Sequence, residues 1–205
     1  MNISEMEIME IFPTVVADMK IYDDELLNSL ENEIYKEMEK DPLGDSLSNK
    51  GGWQSARDSP VGPICQSLKE TLLPTVQKFY ADTIAMDKES ALALRINSLW
   101  ANISPKDTYN AEHIHPGSQV SGVLYIKVPE NPADINFVNP ARNFKMAVNE
   151  APNDVNRYNS EQYFFSPTKG RLLLFPSYLA HTVDLSESEG DRISIAFNAS
   201  YFIRR

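Results

Sequence analysis

Only three histidines stand in this chain, and all fall in two short stretches: His113 and His115 in Glu112-His-Ile-His-Pro-Gly-Ser118, and His181 closing Phe175-Pro-Ser-Tyr-Leu-Ala-His181. Neutral imidazole offers a lone pair at physiological pH, which makes histidine the commonest protein ligand of catalytic transition metals. On an extended segment, residues i and i+2 point the same way, so His113 and His115 can reach one ion. His181 would supply a third ligand from a neighbouring strand and leave positions open for substrate and dioxygen. In so His-poor a chain, this arrangement favours a metal site over three surface or hydrogen-bonded structural histidines. A structural zinc site fits less well, because such sites usually close with four ligands and often use Cys.

The elements that must position these residues read as helices first and strands afterwards. Residues 8–17 are β-rich, with Pro13 demoting them to an edge or interrupted strand. Leu26, Leu27, Leu30, Ile34 and Met38 recur at helical spacing and predict an amphipathic helix over 24–40, begun by Asp23-Asp24 and stopped before Pro42. Residues 41–63, around Trp53, read as an irregular loop, and a second helical pattern runs through Ile64, Cys65, Leu68, Leu72, Val76 and Phe79 with Pro74 as a kink. Beyond residue 90 the pattern turns to β. Ala91 to Ser104 alternates, with Leu92, Leu94, Ile96, Ser98, Trp100 and Asn102 on one face. Further strands are expected at 120–128, 134–138, 162–165, 171–175, 182–185 and 192–203, and residues 139–160 read as a long loop of the kind that serves as a lid or binding loop.

This order predicts a mainly β fold with flanking helices: a double-stranded β-helix, or jelly roll, with the helices packed on one sheet. One domain is expected over 1–205, with helical support at about 23–82 and a catalytic core at about 91–205. The last strand should turn Ile193, Ile195, Phe197 and Tyr201 to the helices. Its other face, Arg192, Ser194, Ala196, Asn198 and Ser200, suits a ligand cavity.

Hydrophobic residues at 42% describe a folded protein, and a net charge of −10 describes one whose overall field repels phosphate backbones. Nucleic acid is therefore not an expected partner, and a neutral or basic target is slightly favoured. A single Cys65 fits a reducing compartment and reads as a core thiol. No apolar run is long enough to span a bilayer, and acids occupy the N-terminus where a signal peptide would carry Lys or Arg, so a cytoplasmic location is expected. Oligomeric state and prime substrate are not legible.

Three segments, His113-Ile-His115-Pro-Gly-Ser-Gln-Val-Ser-Gly-Val-Leu-Tyr-Ile126, Pro167-Thr-Lys-Gly-Arg-Leu-Leu-Leu-Phe-Pro-Ser-Tyr-Leu-Ala-His181 and Arg192-Ile-Ser-Ile-Ala-Phe-Asn198, resemble the Fe(II)- and 2-oxoglutarate-dependent oxygenases of marine bacteria and phages, relatives of the prolyl hydroxylases. The similarity covers about residues 95–205. It implies a dioxygenase that uses Fe(II), 2-oxoglutarate and O2 to hydroxylate a C–H bond of a peptidyl substrate, such as a prolyl residue, or of a small molecule, releasing succinate and CO2. It further implies that Arg192, with Ser194, binds the distal carboxylate of 2-oxoglutarate, that the Tyr125 hydroxyl shares it, and that Asn102 contributes to the cosubstrate pocket. An arginine fork suits bidentate capture of a carboxylate.

One departure stands out, because the superfamily has Asp or Glu where this chain has His115. His115 can replace the carboxylate in a three-histidine face; alternatively it is the first ligand, with Gly117 at a vacant carboxylate position, or Glu112 or Asp134 completes the site. The spacing from Asn102 and to Tyr125 favours the first. Two other readings compete: a cupin-type dioxygenase or isomerase without 2-oxoglutarate, whose usual Glu would fall at Ser118 or Gln119, and a non-catalytic jelly-roll module.

Overall fold

A computed structural model describes residues 6–45, 47–57, 62–85, 87–142 and 155–201. Helix α1, Asp24–Lys40, begins where Asp23 accepts a hydrogen bond from the Leu26 amide at 2.9 Å, and it buries Leu27, Leu30 and Ile34. Helix α2, Gly62–Thr83, carries Pro74 inside it, and the short α3, Lys88–Ala93, is capped by Asp87. Among the described residues, no helix is long and apolar enough to cross a membrane.

The strands are β1 (Ala17–Lys20), β2 (Asn49–Lys50), β3 (Trp53–Gln54), β4 (Leu94–Ser104), β5 (Tyr109–His113), β6 (Val120–Lys127), β7 (Ile135–Val138), β8 (Gln162–Phe165), β9 (Arg171–Pro176), β10 (His181–Val183) and β11 (Arg192–Tyr201). They form two antiparallel sheets, one in the order β1-β9-β6-β11-β4-β3 and the other β2-β5-β10-β7-β8. This is the double-stranded β-helix expected from the strand pattern.

Alternation along each strand divides the first sheet into two faces. Leu99, Ala101, Ile103, Leu124, Leu172, Leu174, Ile193, Ile195 and Phe197 form one core with Leu27, Leu30 and Ile34 of α1 and Leu68, Leu72 and Val76 of α2. The helices therefore cover that face. Between the sheets lies a second core of Val123, Tyr125, Ile135, Phe137, Leu173, Phe175 and Leu179. On the helix-facing side Gly122 leaves room for Phe197, since a Cβ on it would lie 2.3 Å from Phe197 Cζ.

Several elements differ from the sequence reading. Residues 8–16 form no strand, and pairing begins at Ala17, beyond Pro13 and beyond Phe12 with its φ of 57°. Residues 41–63 hold the two short strands β2 and β3, which add edges to the two sheets. Residues 91–93 finish α3 instead of starting a strand. Leu94 and Ile96 face the helices, not the cavity, because the β4–β11 register slips near Asn97, between the Ser98–Asn198 and Ile96–Ala199 pairs. The Asn97 side chain secures that slip by bonding Ser200. The Cys65 side chain and residues 143–154 of the long loop lie outside the described residues.

Candidate metal centre

Register across the second sheet brings the histidines together. His181 on β10 pairs with His113 on β5, so both side chains leave the same face, toward the first sheet. Their ring centroids are 4.2 Å apart. His115 lies just past β5, where its amide donates to the Ser177 carbonyl at 3.0 Å and its own carbonyl accepts from Ser118. That turn ties the first histidine segment to the one leading into His181. The His115 ring sits 5.1 Å from His113 and 5.2 Å from His181. One ligating atom from each residue falls within 4.8 Å of the others.

The three rings are prepared as neutral donors. His113 Nδ1 faces the Ala111 carbonyl at 2.8 Å and His181 Nδ1 the Leu179 carbonyl at 2.9 Å, so the proton belongs on Nδ1 and the Nε2 lone pair remains for a metal. Burial pushes all three below the ordinary histidine range, His115 to about 3 and His181 to about 4. The neighbouring imidazoles add to the depression of His115, and the Arg57 guanidinium adds to that of both His113 and His115.

The other sequence-predicted residues line the same cavity, which is bounded by Asn102, His113, His115, Tyr125, His181, Arg192 and Ser194 among others. Tyr125 on β6, Ser194 on β11 and Asn102 on β4 stand side by side in register, so they share the inner face. Arg192 is 6% exposed, yet no carboxylate among the described residues pairs with it. Its guanidinium donates only to the Ala133 carbonyl at 3.2 Å and Ser104 Oγ at 3.3 Å, and its Nε has no partner. A buried cation left so is expensive until an anion arrives. Burial raises Tyr125 to about 12, so its phenol is protonated and can donate to an anion.

The alternatives at the departing position fare differently. Glu112 points off the opposite side of β5 and pairs with Arg142 at 3.2 Å. Among the described residues, neither Asp134 nor any other carboxylate or thiol joins the histidine cluster, and a Cβ on Gly117 would meet nothing within 4 Å. The donor set present, three neutral imidazoles beside an unpaired buried guanidinium, fits a divalent transition metal together with a dicarboxylate.

Sequence reading missed three neighbours of this site. Trp100 lines the cavity with its ring 5.8 Å from His115, Gln54 pairs in register with Asn102, and Arg57 lies over the Trp100 ring at 5.0 Å. The signal for Gln54 and Arg57 was the Trp53-Gln-Ser-Ala-Arg57 run, which composition alone assigned to a loop, and that for Trp100 was its place on the Asn102 face of the strand.

Residues 98–198 match the family described as "Putative 2OG-Fe(II) oxygenase", a span that holds every histidine and cosubstrate candidate named above. The match and the site together support an enzyme of the 2OG-Fe(II) oxygenase class, which uses iron, 2-oxoglutarate and O2. No curated protein matches the sequence. Among solved structures, the chain is similar to a Pseudomonas putida prolyl-4-hydroxylase, at 13% identity and a TM-score of 0.63 over 91% of this chain and 93% of that one. It is similar to a Trichoplax adhaerens prolyl hydroxylase bound to a hypoxia inducible factor peptide, at 12% identity and a TM-score of 0.62, covering 91% and 83%. HygX from Streptomyces hygroscopicus, with iron bound, gives 14% identity and a TM-score of 0.62, covering 93% and 83%. These likenesses establish the fold.

Proposed function

We propose that His113, His115 and His181 hold Fe(II) in a three-histidine face, and that Arg192, aided by Ser194, Tyr125 and Asn102, receives 2-oxoglutarate. The observation that carries this assignment is the combination in one cavity of three convergent neutral imidazoles and a buried, anion-free guanidinium. When bound, iron and 2-oxoglutarate with O2 supply the oxidising power: the cosubstrate leaves as succinate and CO2 while a substrate C–H bond becomes C–OH.

The protein's share is to bind, orient and shield. Arg192 would offer its fork to the distal carboxylate, and the neighbouring Tyr125 and Ser194 hydroxyls would donate to it. Asn102 forms the neighbouring wall of the cosubstrate pocket. The Ala111 and Leu179 carbonyls fix the tautomers of His113 and His181, and the Ser177 carbonyl fixes the turn that carries His115. Phe137 and Phe175 pack against the His181 ring and keep water from that side.

The substrate is a peptide or a small molecule, with a peptidyl proline the first to test. A prolyl-4-hydroxylase and a peptide-bound prolyl hydroxylase share the fold, as does HygX, which has been solved with hygromycin B. We take 1–205 as one domain, with 23–82 as helical support for a core at 91–205, and place the enzyme in the cytoplasm on its single cysteine. The test is succinate release from purified protein with Fe(II), ascorbate and 2-oxoglutarate. Turnover that stops when Fe(II) is withheld supports the assignment; a protein that neither keeps iron nor makes succinate contradicts it.

A further inference from the structure

We infer that Arg57 is a specificity-determining residue that seats an anionic group, a carboxylate, of the substrate to be oxidised. The inference rests on the iron and 2-oxoglutarate assignment of the same cavity. Its geometric basis is a short relay: the Arg57 guanidinium lies over the Trp100 ring at 5.0 Å, and Trp100 lines the cavity with its ring 5.8 Å from His115. Stacking on an indole leaves the guanidinium edge, with its donors, free to face a ligand.

The backbone leading to Arg57 is anchored. Ser55 and Ala101 are joined by two hydrogen bonds, amide to carbonyl at 2.9 Å and amide to Ser55 Oγ at 3.0 Å, and the Trp53 indole donates to the Asp41 carbonyl at 2.8 Å. The arginine is thus presented from a fixed edge of the first sheet, two residues beyond that tie.

Arg57 also stands apart from the other arginines. Arg142, Arg157 and Arg171 pair with Glu112, Glu10 and Asp18, and Arg95 donates to the Leu92 and Leu94 carbonyls. Arg57 makes no hydrogen bond or ion pair with any described residue.

Charge accounting gives the direction of selectivity. Among the described residues no carboxylate joins the histidines or pairs with Arg192 or Arg57, so a divalent metal and doubly charged 2-oxoglutarate would cancel and leave the two guanidiniums as an excess of positive charge. Glu112 cannot offset them, because it already pairs with Arg142. A negative charge on the substrate would meet a positive local field even though the whole chain carries −10. The acidic composition pointed to a neutral or basic target, and the local arrangement reverses that expectation.

The experiment uses isotope-labelled protein loaded with Zn(II) and saturated with N-oxalylglycine, an inert 2-oxoglutarate analogue that occupies Arg192. Acetate and benzoate are titrated against acetamide and benzamide at constant ionic strength, following the Trp100 indole N–H signal. The expected result is that each carboxylate moves the signal and binds at least about tenfold tighter than its amide. R57Q should remove the preference and R57K should keep part of it. Equal binding of acid and amide, no response to either carboxylate, or a preference that survives R57Q would overturn the inference. Zn(II) content measured on the same samples tests the metal site separately. Failure to hold zinc would count against the iron assignment, while the acid–amide comparison repeated on metal-free protein still reads Arg57.

Discussion

At the scale of residues, the histidines and Arg192 are given separable tasks. Because Arg192 is buried and no described carboxylate pairs with it, Arg192→Ala should raise the 2-oxoglutarate KM by about a hundredfold, the ~2–3 kcal/mol of a charge-assisted contact, while iron content is retained. An unchanged KM would remove Arg192 from that role. The histidines make a pH prediction for the metal-free protein. His115 and His181 are held at about 3 and about 4, below the ordinary ~6.5, so protons bind the unfolded chain more readily. Their contribution is intact above about pH 6.5 and is lost as pH falls toward those values. The urea midpoint of metal-free protein should therefore drop between pH 7 and pH 5 in the native chain by more than in H115N, and equal drops would contradict the burial argument. Residue types and spacing were enough to pick out the three histidines, because few side chains do this chemistry; alternation put Arg192 and Ser194 on one strand face, and their role came from the family resemblance. Arg57 was illegible, since its meaning depends on Trp100, 43 positions away, lying under it.

At the scale of elements, the site is a product of register. His113 meets His181 because β5 and β10 pair there, and Tyr125, Ser194 and Asn102 align because β6, β11 and β4 do. Gly122 sits in the middle of this sheet, where a Cβ would strike Phe197 Cζ at 2.3 Å and Leu174 Cδ2 at 2.8 Å. Gly122→Ala should cost about 1–3 kcal/mol in urea unfolding and lower metal affinity with it; no loss would mean that the strands have more room than their packing indicates. Helix α1 was readable to its ends from apolar spacing, Asp23 and Pro42. Less was readable where local pattern is weak: Tyr109–His113 does not alternate, β2 and β3 are two residues each, and the slip near Asn97 is visible only once β11 is alongside.

At the scale of the whole molecule, two helices cover one sheet and leave the space between the sheets free, so the cavity opens where the two layers meet. Ligands that bind only the folded chain stabilise it by mass action. Zn(II) with N-oxalylglycine at about a hundred times its dissociation constant should raise Tm by about 5–10 °C, and the same mixture should leave H181A unmoved. The most direct measurement of the central claim is an anaerobic titration of the protein with Fe(II) and 2-oxoglutarate, following the visible charge-transfer absorption of the chelate. The account predicts one iron per chain and a chelate band in the native protein, no band in H181A, and a band in R192A only at much higher 2-oxoglutarate. A native protein without the band, or a band that persists in H181A, would contradict it.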